Sequence, residues 1–343
     1  MGRSPAVRLY LAPTVQACST LYREGILTER LYDSDSFLRR FSSHIVDRCQ
    51  INGQPAVELE ATAFYPTSGG QPHDTGTLNE AHIVAVEVDD DGRILHLCDR
   101  PLPETEVVGE IDWERRFDHM QQHSGQHILS QAFVQTCQAE TVSFHMGESL
   151  STIDLDRAPL SPEQVQAAEQ AANEVVTSTL AVSARFVVDS ELAALPLRKV
   201  PAVDESVRIV EVQGYDWSAC GGTHVRNSGQ VGPIKVVRVE RRSDKTRIHF
   251  VCGRRALADY ASKHETVQAL AGYLTTSESE LLSSVQRMEA ELKDVRKANM
   301  SAQSELLEYQ VEDRIAGAES DGSMLNLHLA FHERDINLLK ETA

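Results

Sequence analysis

Two pairs of residues in this 343-residue chain are typed and spaced for metal chemistry. His123 and His127 stand four apart in His123-Ser124-Gly125-Gln126-His127, so a helix presents both rings on one face, within reach of one ion. Cys220 and His224 stand four apart in Cys220-Gly221-Gly222-Thr223-His224, where a glycine-rich turn can aim both side chains at one point. Either pair alone is weak, because a helical pair of histidines is as often two satisfied core residues as two ligands. Together they make three imidazoles and a thiolate, a set that suits Zn2+. The glutamate of His-Glu-x-x-His is missing, which disfavours a metalloprotease.

A third stretch, Phe64 to Gly76, carries Gly69-Gly70-Gln71. Consecutive glycines let backbone N–H groups approach a ligand, and Gln71 adds a directional donor and acceptor. A plain structural turn explains the same residues. The Gly-Lys-Ser/Thr element of a phosphate-binding Walker loop is absent.

These groups need elements to hold them. His44 to Val46, Val57 to Glu60, His82 to Val86 and Arg93 to Leu97 are strand-like, as is Arg30 to Tyr32, and Asp90-Asp91-Gly92 is a hairpin turn. Short strands at this spacing predict a small β-barrel. A helix from about Asp118 to Cys137 carries the paired histidines on an apolar face. Two strands around His145-Met146-Gly147 follow, then a capped helix from Ser161 to Leu180. Strands at Ala181 to Val188, Val207 to Gln213, Ile234 to Val239 and Thr246 to Cys252 complete an α+β region. Leu281, Val285, Met288, Leu292, Val295, Asn299, Ala302, Leu306 and Tyr309 keep alternating 4-3 spacing, with Asn299 at an a position. This heptad pairs either with a second copy or with Leu257 to Leu274 of the same chain.

The fold class read from this is α+β: a small N-terminal β-barrel, a zinc-binding α+β domain and a C-terminal coiled-coil or helical segment. The domains divide as an extension at 1–27, the barrel at 28–112, the metal domain at 113–255, the helical segment at 256–312 and the start of a C-terminal module at 313–343.

Composition bounds the setting. No apolar run approaches the ~20 residues that span a bilayer. Met1 to Ser19 lacks a sustained apolar segment and reads as an extension, not a signal peptide. Cys18, Cys49, Cys98, Cys137, Cys220 and Cys252 have no pairing rhythm, which predicts a reducing, cytoplasmic location. A net charge of −18 opposes phosphate binding overall. From Val207 to Arg255, however, ten Lys and Arg face four acidic residues, a local balance of +6. That segment is either an electrostatic footprint or a set of solvated strand faces.

The three motifs, in this order and spacing, resemble the editing domain of alanyl-tRNA synthetases and their freestanding relatives, the alanyl-tRNA editing proteins. The likeness covers roughly Thr28 to Arg255, and the heptad resembles the linker of the long freestanding form, whose C-terminal domain is longer than the tail here. No stretch resembles an aminoacylation core. The resemblance implies hydrolysis of the ester on mischarged tRNA-Ala, chiefly Ser-tRNA-Ala, with glycine a harder target because it lacks a hydroxyl to select. It implies Zn2+ on His123, His127, Cys220 and His224. Gly69, Gly70 and Gln71 would close over the amino acid, with Gln126 and Thr223 as neighbours, and basic residues after His224 would hold the acceptor stem. No side chain is identified as the base. Four protein ligands suggest a closed site, so either one ligand is weak or zinc orients the substrate while a second water attacks. The alternative function is a zinc-stabilised tRNA-binding module without hydrolysis. A homodimer through the heptad is the expected assembly if the coil pairs between copies.

Overall fold

The computed structural model describes residues 27–192, 194–199 and 206–317. The N-terminal extension, Cys18 and residues 318–343 of the expected C-terminal module lie outside the described residues. The chain divides into two compact units, Met1–Tyr260 and Ala261–Ala343. No described helix is long and apolar enough to cross a membrane.

The first unit opens with β1 (Glu29–Arg30), a one-turn helix α1 (Leu31–Ser34) and a long β2 (Arg40–Ile51). Leu31 and Tyr32 are therefore helical, not the strand expected. The reason is tertiary: Tyr32 is buried edge-on against Tyr65, with ring centroids 5.2 Å apart. In β2 the side chains of Phe41, Ser43 and Ile45 alternate inward, the period-2 pattern of a half-buried strand. Next come β3 (Gln54–Leu59), β4 (Ala61–Thr62), β5 (Gly76–Leu78), β6 (Ala81–Val88), β7 (Ile94–Cys98) and β8 (Glu106–Ile111). Six of these strands close in the order β2-β3-β7-β6-β5-β8, the barrel expected. Its core gathers Leu59, Phe64, Leu78, Val86 and Ile94. The short β1 pairs in parallel with β4 outside the closed order.

Helix α2 (Trp113–Cys137) begins about a turn earlier than the apolar period suggested, because Asp112 caps it by accepting a bond from Arg115 N at 3.3 Å. The turn expected at His145 to Gly147 joins β9 (Thr141–Met146) to β10 (Ser151–Leu155). Helix α3 (Pro162–Thr177) starts with a full capping box between Ser161 and Gln164. Then follow β11 (Val182–Val187), the short α4 (Asp189–Leu192), β12 (Val207–Val212), β13 (Asp216–Ala219), β14 (Ile234–Arg242) and β15 (Lys245–Cys252). A four-stranded sheet, β14-β15-β10-β9, buries Ile153, Leu155, Ile248 and Phe250 in one core with α2 and α3. A three-stranded sheet, β11-β12-β13, delivers the Cys220 turn.

Helix α5 (Gly253–Tyr273) leads out of the first unit, and α6 (Leu281–Ala316) is the 36-residue helix that carries the heptad. On α6, Val285, Met288, Leu292, Val295, Leu306 and Tyr309 are each about half exposed or more. No coiled-coil seam is buried among the described residues.

Candidate metal centre

Helix α2 fixes the first pair. Its entry is locked to the barrel by Arg116, fully buried, whose guanidinium grips Asp74 of the glycine-rich stretch with Nε 3.0 Å from both carboxylate oxygens. The same guanidinium donates to Ser36 O at 2.9 Å and to Ala63 O at 2.5 Å. Two turns later His123 points at the barrel loop, and one turn after that His127 points at β13.

The loop itself is a tight hairpin. Ser68 and Gln71 exchange backbone bonds of 3.1 and 2.9 Å around Gly69 and Gly70, both at positive φ (57° and 84°). A Cβ on Gly70 would stand 2.7 Å from Phe144 O, so the hairpin lies directly on β9. This seats Gln71, which is fully buried. Its Oε1 accepts from His123 Nδ1 at 2.8 Å and from Thr223 N at 3.2 Å, while Nε2 donates to Thr223 Oγ1 at 2.8 Å.

The downstream pair closes the site. Arg208 on β12 donates through Nη1 to Cys220 O at 2.8 Å and Gly222 O at 2.9 Å, fixing the turn's path. His123, His127, Cys220 and His224 converge, each offering a ligand atom within 4.8 Å of the others. Cys220 Sγ lies 3.3 Å from both His123 Nε2 and His224 Nε2. Bonds of ~2.0–2.3 Å to a central zinc place tetrahedral ligand atoms roughly 3.5 Å apart, so the observed spacing fits the ion.

Each imidazole is held from behind. His123 Nδ1 meets Gln71 Oε1, His127 Nδ1 meets Asp216 Oδ2 at 3.0 Å, and His224 Nδ1 meets Ser124 Oγ at 3.0 Å. Gln71 Oε1 and Asp216 can only accept, so Nδ1 of His123 and His127 carries the proton and Nε2 is left to bind an ion. Asp216 is oriented in turn by Ser218 Oγ at 2.9 Å and an ion pair with Arg198 at 3.2 Å.

Electrostatics favour the same outcome. Burial pushes the Cys220 thiol up, but His123 and His224 outweigh it and hold the group well below the usual thiol value. Burial opposes a charge on His127, yet Asp216 and Cys220 raise its pKa to about 9, so at neutral pH the ion-free ring holds a second proton on Nε2 that a cation must displace. Burial keeps His224 neutral, with its pKa lowered to about 3. A buried thiolate among imidazoles suits a divalent cation, which takes the place of the His127 proton.

The remaining expected site residues sit differently. Gly69 and Gly70 form the hairpin, and Thr223, fully buried, braces Gln71. Gln126 shares α2 but bonds along it to Ser130 Oγ at 2.8 Å, not to the cluster. Asp216, Ser124 and Arg208 were not singled out beforehand. Asp216 had no legible signal, because the alternation that puts Asp216 and Ser218 on one face runs over only four residues. Ser124 had none.

The basic segment is mostly spoken for. Arg226 pairs with Asp35, Lys235 with Glu169, Arg238 and Arg242 with Glu240, Arg247 with Asp154, Arg254 with Glu114 and Arg255 with Asp118. Arg208 is buried at the Cys220 turn. The local excess of charge is largely neutralised by acids from elsewhere in the chain.

Comparison with known proteins places this centre. Residues 207–249 match the family described as the threonyl and alanyl tRNA synthetase second additional domain. The chain is similar to the alanyl-tRNA editing protein Aarsd1-B of Xenopus laevis, 32% identical over 277 residues, covering 79% of this chain and 67% of that protein. It is 30% identical over 316 residues to Aarsd1 of Rattus norvegicus, covering 87% and 76%. Against the alanine–tRNA ligase of Pyrococcus furiosus it is 32% identical over 310 residues, 84% of this chain but 33% of the ligase. The barrel, the paired histidines and the Cys-His turn all fall on a chain that belongs to the alanyl-tRNA editing protein family.

Proposed function

We propose that the protein is an aminoacyl-tRNA deacylase that edits tRNA-Ala, hydrolysing the ester of the wrongly attached serine with zinc held by His123, His127, Cys220 and His224. The observation that carries this reading is the convergence of Nε2 and Sγ atoms with each imidazole backed at Nδ1. Zinc held by these four residues would supply a Lewis acid beside the aminoacyl group. The chain's own residues do the rest. Gln71 and Thr223 hold His123, Asp216 holds His127, and Gly69 and Gly70 form a wall against the amino acid, with Gln126 further along the helix. The barrel (28–112) supplies the wall and the following domain (113–255) the ligands.

Discrimination has a physical basis. A pocket for a small side chain cannot strongly reject an analogue with an added hydroxyl, so a second site is needed that uses the hydroxyl. Serine satisfies such a site, and alanine leaves its polar groups unpaired. Cys98, Cys137, Cys220 and Cys252 form no disulfide, which supports a reducing cytoplasmic setting. The apolar seam of α6 supports pairing with a second copy.

The test is deacylation of Ser-tRNA-Ala and Ala-tRNA-Ala with and without a chelator. The expected result is rapid, chelator-sensitive loss of serine and slow loss of alanine. Equal hydrolysis of both, or of neither, would sink the reading. The alternative, a zinc-stabilised tRNA-binding module, predicts that Cys220→Ala unfolds the domain, whereas the deacylase predicts loss of hydrolysis with the fold retained.

A further inference from the structure

A cavity of about 300 Å³ lies beside the metal cluster, and Gly221, the residue after Cys220, forms part of its wall. Cys220 is the least buried of the four clustered residues, so the cluster faces outward on this side. The opposite side is shut. Gly222 lies so close to His123 that a Cβ there would stand 2.1 Å from Cε1, and the Phe144 ring stacks 5.3 Å from the His123 ring. A volume of ~300 Å³ is at the lower end of small-ligand pockets.

Three groups in the cavity wall offer contacts that no described residue takes up. Phe186, in β11, is 57% exposed and offers a bare aromatic face. Arg30, at the rim, is exposed and makes no ion pair or side-chain hydrogen bond among the described residues. Tyr32 is only 2% exposed, yet its hydroxyl has no hydrogen-bond partner among the described residues. Burial of the ring raises the Tyr32 pKa, so the hydroxyl stays a donor at the cavity wall. The other polar groups of the wall are engaged. Arg208 holds the Cys220 turn and lies 3.8 Å from Asp33, whose charge it offsets, and Tyr65 Oη donates to Ser68 O at 3.2 Å.

An aromatic face, an unpaired guanidinium and a free hydroxyl donor, side by side, are complementary to a nucleobase, a phosphate and a sugar oxygen. We infer that this cavity seats the terminal ribonucleotide of the RNA, with its base on Phe186, its phosphate at Arg30 and its sugar against Tyr32. The inference rests on the deacylase reading. It explains how the ester comes to face Cys220 while most arginines of the basic segment are already paired. The binding energy of the last nucleotide then orients the ester, which makes Phe186 and Arg30 positioning residues.

The test is calorimetric titration of the zinc-loaded protein with adenosine 5′-monophosphate, adenosine and ribose 5-phosphate, alongside Phe186→Ala, Arg30→Ala and Tyr32→Phe. Phe186→Ala is expected to weaken the monophosphate and adenosine about tenfold or more, as loss of one stacked base does, and to leave ribose 5-phosphate unchanged. Arg30→Ala should weaken both phosphate-bearing ligands and spare adenosine. Tyr32→Phe should weaken all three. In deacylation, Phe186→Ala should raise KM more than it lowers kcat. Absence of monophosphate binding by the wild type, or equal binding by wild type and Phe186→Ala, overturns the inference. If the wild type binds the monophosphate as described but hydrolyses no aminoacyl-tRNA, the deacylase reading fails and the nucleotide cavity stands.

Discussion

Gly221 and Gly222 are neighbours with opposite demands. A Cβ on Gly222 would sit 2.1 Å from His123 Cε1 and 2.4 Å from its Nδ1, whereas a Cβ on Gly221 meets nothing within 4 Å. Gly222→Ala must therefore displace His123 or the turn, and Gly221→Ala need move neither. Metal content of the purified variants checks this: Gly222→Ala is expected to lose most of its zinc, and Gly221→Ala to retain a full equivalent. The groups behind the ligands make a graded version of the same argument. Asp216 fixes the His127 ring at 3.0 Å from its Nδ1 and is itself 1% exposed, so no water can readily replace it. Asp216→Ala should weaken zinc about 10- to 100-fold, as loss of such a partner does, measured by competition with a chromophoric chelator. An unchanged affinity would mean that the His127 ring is held by packing alone.

At the scale of elements, what could be read ahead of the structure depended on local chemistry. Helix α3 was legible because Ser161 and Gln164 form its capping box within four residues of sequence. Hairpin β6–β7 was legible from alternation and from Gly92 in its turn, at φ 82°. Strands β5 and β13 were not. They run three and four residues, too short to show a period, and their places are set by partners distant in sequence. The anchoring of the glycine-rich loop was equally hidden, because Asp74 and Arg116 are 42 residues apart and become partners only when the barrel docks on α2. Ion pairs between neighbouring strands give a testable case at this scale. Asp154 and Arg247 face each other across β10 and β15, at 2.6 Å. The hydrogen bonds from Arg247, with help from Ser143, lower the Asp154 pKa from 3.8 to about 2. A carboxylate whose pKa is depressed on folding stabilises the fold fully above its unfolded value and loses that contribution as pH falls through its folded value. The urea midpoint of Asp154→Asn should therefore lie below that of the wild type by a constant margin above about pH 4, and the margin should close toward pH 2. A margin that stays constant down to pH 2 would show that the charge on Asp154 does not matter.

For the molecule as a whole, the motifs foretold the family and the His-Cys cluster better than the electrostatics. A basic segment read from one stretch of sequence ignores the acids that folding brings to it, and Asp35, Glu114, Asp118, Asp154 and Glu169 all come from outside that stretch. The heptad is the reverse case, a pattern whose helix is present and whose partner is another matter. Leu307, one position beyond the seam, is fully buried, so whatever covers it leaves Val285, Leu292, Val295 and Tyr309 in solvent. An in-register parallel pair of α6 helices would set Asn299 against Asn299 at an a position, which favours two strands and one register. It would also set Glu291 against Arg296 of the second copy, a g-to-e contact of opposite charge. These features favour a second copy as the partner of the seam. Sedimentation equilibrium should then give a dimer for the wild type and a monomer for Leu292→Lys with Val295→Lys. Asn299→Leu should keep the association and loosen its two-strand limit, because the polar pair that excludes higher orders is gone. A wild type that sediments as a monomer at tens of micromolar, far above the concentrations at which long coils dissociate, would leave the seam to a different occupant and the editing site to work in single copies.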